Sequence, residues 1–193
     1  MIIYSSGITI KETEQKALRH ILPDPEATIL ASLTEKVANR KQALIEEWRP
    51  RLFADDSVTS LPATVDEIVA LILARDDYQT RAEQDAADSN PTPGLGRIAK
   101  FNATDRSSGT TVTLFSSGIT IADLDANSLL AYTTSINEWV IGALLGHINR
   151  GTKNIIKVWE PILLADASVT SLPATSDGWI ETVTARDDYQ AAS

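Results

Sequence analysis

Four segments of this chain occur twice, and each pair is displaced by 111 residues. Tyr4-Ser5-Ser6-Gly7-Ile8-Thr9-Ile10 returns as Phe115-Ser116-Ser117-Gly118-Ile119-Thr120-Ile121, and Trp48-Arg49-Pro50 returns as Trp159-Glu160-Pro161. Ser57 to Thr64 is repeated letter for letter as Ser168 to Thr175, and Ala74 to Gln79 as Ala185 to Gln190. The constant offset means that no insertion or deletion separates the copies. Such a chain is expected to fold as two related units, residues 1–82 and 112–193, joined by a linker over 83–111. A unit of this size buries only about three-fifths of its unfolded surface and is marginal alone. The units are therefore expected to pack on each other or on a partner.

Within each unit the local signals predict one strand and three helices. Met1 to Tyr4 and Thr113 to Phe115 read as short strands entering a Ser-Ser-Gly turn. Thr9 with Glu12, and less well Thr120 with Asp123, form the pattern of a capping box for a first helix, over about residues 10–22 in the first unit. Asp24-Pro25 starts a second helix with an N-cap side chain followed by proline in the first turn. The equivalent Ser135-Ile136-Asn137-Glu138 reads as a full capping box. Apolar residues then recur at Leu30, Leu33, Val37, Leu44, Trp48 and Leu52, and at Ile141, Leu144, Ile148, Ile155, Trp159 and Leu163. Steps of three, four and seven put them on one stripe. Pro50 and Pro161 are expected to kink or end that helix.

Thr64 with Glu67 caps a third helix, whose inner side carries Ile68, Val69, Leu71 and Ile72. Its second copy is weaker, because Gly178 and Trp179 replace Glu67 and Ile68. Arg81 to Asp88 extends the third helix until Asn90-Pro91-Thr92-Pro93-Gly94 stops it. Arg97 to Asn102 and Thr110 to Phe115 alternate enough for a β-hairpin in the linker. The fold class is mainly α: two similar three-helix modules, each preceded by a short strand and turn.

About a third of the positions match between copies, and the matches cluster in the opening turn, the loop before helix three and the closing Ala-Arg-Asp-Asp-Tyr-Gln. The long helix keeps its apolar stripe and loses nearly every surface residue. A core drifts among Leu, Ile and Val, so identical polar side chains need another reason. For Ser57 to Thr64 one reading is local, with hydroxyls setting the turn before the cap. The other makes Val58 and Leu61, with Val169 and Leu172, exposed anchors for a neighbouring subunit. Asp76-Asp77-Tyr78 and Asp187-Asp188-Tyr189 place two acids near a helix C-terminus, against the macrodipole. Those acids are expected to meet a cation such as Arg51, or a basic surface on a partner. Trp48 and Trp159 share the apolar stripe. Trp139 and Trp179 occur only in the second unit, to fill space between units or stand at an interface.

No chemistry of catalysis stands out. Adjacent carboxylates diverge by about 100° on a helix, which does not make a catalytic dyad. His20 and His147 are not at equivalent positions, and both read as solvated residues on polar helix faces. Gly-x-Ser-x-Gly, His-x-x-x-His and EF-hand ladders are absent. Gly94-Leu95-Gly96-Arg97-Ile98-Ala99 has the letters of a dinucleotide motif without its strand and helix. There is no cysteine to ligate metal or act as nucleophile, so no cofactor and no small-molecule substrate are expected. The net charge is −9, distributed as −3, −1 and −5 over first unit, linker and second unit. Neither unit carries the basic stripe that phosphate backbones require, which argues against nucleic acid. No apolar run approaches the roughly eighteen residues of a membrane span, and Met1-Ile2-Ile3-Tyr4 lacks the form of a signal peptide. A soluble protein made in a cytoplasm is expected.

The second unit combines Ser-Gly-Ile-Thr-Ile, Asn137-Glu138-Trp139, Asn149-Arg150 and a long amphipathic run. In this it resembles small helical proteins encoded among the tail and baseplate genes of tailed bacteriophages. The first unit shares the pattern through the repeat, with Thr28 in place of the tryptophan. The resemblance implies a structural virion component, made in the host bacterial cytoplasm, whose partners are other virion proteins in a symmetric assembly. It carries over no catalytic residue. The alternative is a regulatory or inhibitory protein whose acidic helical surface binds a basic groove on a host protein.

Overall fold

The computed structural model describes residues 1–88 and 110–192. The first repeat supplies β1 (Ile2–Tyr4), β2 (Ile8–Lys11), α1 (Glu12–Ile21), α2 (Pro25–Phe53), α3 (Val65–Leu73) and α4 (Arg81–Ala87). The second supplies β3 (Thr111–Leu114), β4 (Ile119–Thr120), α5 (Asp123–Leu130), α6 (Ile136–Ala165) and α7 (Ser176–Thr184). The described chain is thus mainly helical, with a little strand.

The strands pair across the repeats. β1 runs antiparallel to β4, and β2 antiparallel to β3 in the register Ile8 with Leu114, Thr9 with Thr113, Ile10 with Val112 and Lys11 with Thr111. The twin glycines of the opening turn serve this exchange. Gly7 has φ +78° and Gly118 has φ +80°, in the left-handed region that glycine enters without cost. A Cβ on Gly7 would lie 2.5 Å from the Leu114 carbonyl oxygen, and one on Gly118 2.5 Å from that of Tyr4. Each repeat therefore keeps its glycine because the other repeat's backbone presses against it.

The helices follow the same rule. α1 packs on α6 and α7, while α5 packs on α2 and α3. Each first helix thus lies against the long and third helices of the other repeat, and the expected grouping of three helices from one repeat is exchanged. Leu22-Pro23-Asp24-Pro25 redirects the chain between α1 and α2. Gly151 of α6 lets α1 approach closely, since a Cβ there would stand 1.9 Å from the Ala17 carbonyl oxygen.

Three clusters of buried side chains result. The central one draws on both repeats, with Ile8, Ile10, Leu18, Ile29 and Leu33 against Ile119, Leu129, Val140, Ile141 and Leu144. One outer cluster gathers Leu44, Trp48, Leu52, Val69 and Ile72 with Ala131 of the second repeat. The other gathers Ile155, Trp159, Leu163, Ile180 and Val183 with Ala17 of the first. A helix of about 30 residues is about 45 Å long, enough for α2 and α6 each to run from the shared centre into one outer cluster. We call these outer bodies the first and second lobes, after the repeat that supplies the long helix. Lys41 of α2 joins the repeats again, in ion pairs with Asp66 of α3 and Asp125 of α5. Burial would lower its pKa, but the bonds it donates to Asp125 and Asp66 outweigh that and raise it.

Several local expectations need correction. Thr9 and Thr120 lie in β2 and β4, so neither caps a helix; Glu14 Oε2 instead accepts the Lys11 N–H at the start of α1, and Ala122 precedes α5 without a side-chain cap. Asp24 accepts from the Ala27 N–H and Thr64 closes a full box with Glu67, as expected. Ser135 accepts from the Glu138 N–H, but Glu138 Oε1 is buried with no partner among the described residues, so that box is half formed. Thr175 caps α7 through the Gly178 N–H alone. Leu30 is exposed and Ile29 takes the core place.

Neither proline ends its helix: α2 runs on to Phe53 and α6 to Ala165. Each proline removes one backbone donor, but Leu52 and Leu163, both 1% exposed, anchor the turn beyond it. Residues 81–87 form α4, a separate helix capped by Thr80 with Glu83, because α3 already ends at Leu73. The expected hairpin arm at 97–102 lies outside the described residues, and the described partner of β3 is β2.

Candidate interaction surface

The repeated segments meet in a clasp that is built twice. α2 ends at Phe53, and two residues on Asp55 Oδ1 accepts the Ser57 N–H at 2.9 Å and the Ser57 hydroxyl at 2.6 Å. Its other oxygen accepts from Arg75 at 2.7 Å, and Arg75 Nε donates to Asp77 at 2.9 Å. The second lobe reproduces this: Asp166 accepts from Ser168 at 2.9 and 2.6 Å and from Arg186 at 2.9 Å, and Arg186 Nε donates to Asp188 at 2.9 Å. Beneath lie the tryptophans. Trp48 and Tyr78 have ring centroids 6.1 Å apart, Trp159 and Tyr189 6.2 Å. Arg75 stands 5.8 Å over Trp48, and Arg186 5.7 Å over Trp159.

The clasp accounts for the identity of Asp55, Ser57, Arg75, Asp77 and Tyr78 with their twins. Asp77 and Asp188 meet cations within the chain, but the partners are Arg75 and Arg186 of their own segments; Arg51 adds only a weaker attraction to Asp77. The acids thus answer an arginine in their own turn, and the opposition to the helix dipole is offset. Asp76 and Asp187 are exposed.

Val58, Leu61, Val169 and Leu172 are half-buried and pack against the outer clusters. As free anchors they would have to be exposed; the turn set by Asp55 and Asp166 folds them inward instead. Trp179 is buried, in the place of Ile68, and belongs to the second lobe's core. Trp139 is half-buried against the central cluster. Of the residues singled out from sequence, the fold thus brings Asp77, Tyr78, Val58 and Leu61 into one lobe and their twins into the other.

Sequence reasoning missed Asp55 and Asp166. Both stand at the common offset, as do Trp48 and Trp159, so the comparison of copies contained the signal. It also missed Phe53 and Leu164, at equivalent positions and 71% and 67% exposed. His20 is not a solvated residue: it is half-buried, bonded through Nε2 to Asn154 at 3.1 Å and stacked on Tyr189 of the other repeat. His147 is half-buried too, and burial followed by repulsion from Arg150 lowers its pKa.

Hydrogen bonding holds the clasp carboxylates below their usual range. Hydrogen bonds from Ser57 and then Arg75 hold Asp55 down to about 2, and Ser168 and Arg186 do the same for Asp166. Arg75 and Arg186 are raised in return, first by Asp55 for Arg75 and by Asp188 for Arg186. A carboxylate depressed in the fold stabilises it above its unfolded pKa, and the gain is lost as pH falls through the folded value. Stability from the clasps should therefore hold down to about pH 4 and disappear toward about pH 2. Denaturant melts across that window should fall more steeply for the native chain than for a doubly substituted Asp55→Asn, Asp166→Asn chain. Parallel curves would contradict the clasp.

Among the described residues no group of three or more His, Asp or Glu side chains is placed to hold a metal ion. No described helix is long and apolar enough to cross a membrane. Comparison of the chain with protein-family models, with curated proteins and with solved structures finds no match.

Proposed function

We propose that this protein is a non-enzymatic structural component of a tailed-phage virion, in the tail, baseplate, neck or fibre attachment, acting as a two-module adaptor. Its two lobes engage like neighbours. The observation that carries this reading is the pair of exposed large apolar side chains at equivalent places, Phe53 and Leu164, each closing a long helix beside a repeated loop. Solitary exposed apolar residues are ordinary. The same exposure at both ends of a duplicated fold is a reason to assign them a shared task. Thr59, Ser60 and Asp76 of the repeated segments, and their twins Thr170, Ser171 and Asp187, are likewise exposed in both copies. Exposed apolar and polar side chains recurring at the same offset suit a protein interface used twice.

Two linked faces raise the effective concentration of the second contact and let one chain bridge repeated subunits. The resemblance of the second repeat to phage tail and baseplate proteins supplies the setting. Co-sedimentation of the purified chain with phage particles tests the reading. The native chain should pellet with them, each of Phe53→Asp and Leu164→Asp should weaken this, and the double substitution should abolish it. A chain that stays in the supernatant with every particle tried would sink the proposal.

A further inference from the structure

We propose that the groove between the end of α1 and α6 is a docking site for an acidic segment of a partner protein. The inference stands apart from the virion reading, because it uses neither Phe53 nor Leu164. The groove measures about 500 Å³, with Ile21 and Leu22 on one side and Arg150, Lys153 and Lys157 of α6 on the other. No described carboxylate lines it. The second unit has one further lysine or arginine, Arg186, which the clasp engages. A unit of charge −5 thus gathers three of its four cations in one place.

The fold itself does not call for this cluster. Among the described residues none of the three cations is ion-paired with a carboxylate. Arg150 Nη2 lies against the His147 ring, 2.9 Å from Nδ1, and that ring offers no negative charge. Steps of three and four make Arg150, Lys153 and Lys157 neighbours on one helix face, where like charges repel. The equivalent residues of α2 are Asn39, Gln42 and Glu46, so a long helix of this kind forms without them. The C-terminal end of α1 offsets about half a unit charge, which leaves most of the cluster unanswered. A cleft lined by one sign of charge concentrates ligands of the other. The half-buried Ile21 and Leu22 add an apolar wall. From Arg150 to Lys157 is about 10 Å along the helix axis, the reach of about three residues of extended chain. Three cations fall short of the stripe that follows a nucleic-acid backbone, and such a strand would leave the groove onto a surface of its own sign. A short acidic peptide ends within it.

The test is titration of the isotope-labelled full chain, followed by NMR, with an acetylated Glu-Glu-Leu-Glu-Glu peptide and separately with its Gln-Gln-Leu-Gln-Gln counterpart. The acidic peptide should shift the backbone amides of Leu22, Arg150, Lys153 and Lys157 saturably, and more weakly as salt is added. The neutral peptide should leave them still. Lys153→Gln with Lys157→Glu installs the residues that α2 carries at these places, and should weaken binding at least several-fold. Arg49→Gln removes an exposed cation from the first unit and should change nothing. Should the double variant fail to fold, Lys153→Gln alone decides against Arg49→Gln. A response without saturation, or one undiminished by the α6 substitutions, overturns the proposal. So does an equal loss with Arg49→Gln, which would mean attraction by overall charge alone. Oligothymidylate binding as tightly as the peptide would overturn the assignment to a protein segment. The same shifts on concentrating the chain alone would give the groove to a second copy and overturn the assignment to a different partner.

Discussion

Replacing Gly151 with alanine should destabilise the protein by about 3 kcal/mol, at the upper end of ordinary overpacking, while Gly146→Ala should stabilise it by about 1 kcal/mol. Both glycines lie inside α6, so the gain in helix propensity is common to them. They differ in what stands opposite. Nothing lies within 4 Å of a Cβ built on Gly146, whereas one on Gly151 would meet the Ala17 oxygen at 1.9 Å and its carbon at 2.7 Å. The obstruction is helix backbone, which cannot swing aside as a side-chain tip could. α1 must therefore lift, and Ala17 and Leu18, both fully buried, must surrender part of their packing. Chemical denaturation gives the free energies. Hydrogen exchange should show protection lost first over Glu12–Ile21. Equal stability in the two variants would mean that α1 does not seat against α6 as described.

Trp48→Ala and Trp159→Ala should each cost about 4 kcal/mol, the usual range for emptying a buried aromatic site. Trp48 is 5% exposed and Trp159 7%, and each floors a clasp. Removal takes away the ring under Arg75 and Tyr78, or under Arg186 and Tyr189, as well as the core contact. The two sites belong to separate clusters and share no partner, so the costs should add in the double variant. Both lobes are tied to one central cluster, and either change should lower a single cooperative transition. Melts monitored by circular dichroism and by tryptophan emission check this. A Trp48→Ala chain that melts in two steps, with the second lobe unaltered, would show that the repeats fold independently.

The legible and illegible parts of this fold divide along a physical line. The starts of α2, α3 and α6 could be read because their caps are local: Asp24, Thr64 and Ser135 act on a backbone N–H three residues away. The inner faces could be read because a stripe records that something covers it. A stripe does not record what does the covering, so the exchange of α1 and α5 between repeats left no mark in periodicity. Thr9 with Glu12 has the letters of a cap, but Thr9 is claimed by its pairing with Thr113, a contact distant in sequence. Leu30 and Ile29 differ by one step of the helix, which a stripe with gaps does not settle. At the clasp the copies pointed to Asp55, Arg75 and Asp77 through identity. They were silent about His20, which has no twin, and its contact with Tyr189 follows only from the crossing of α1 to the other repeat.

That crossing has a consequence for what a break in the covalent chain would do. Severed between α4 and β3, the molecule would become two polypeptides, each holding a strand and a helix that the other cannot do without. They could part only by unravelling, and rejoining would become a bimolecular event governed by dilution. The covalent connection between the repeats therefore serves less to hold them together than to ensure that each finds its counterpart promptly.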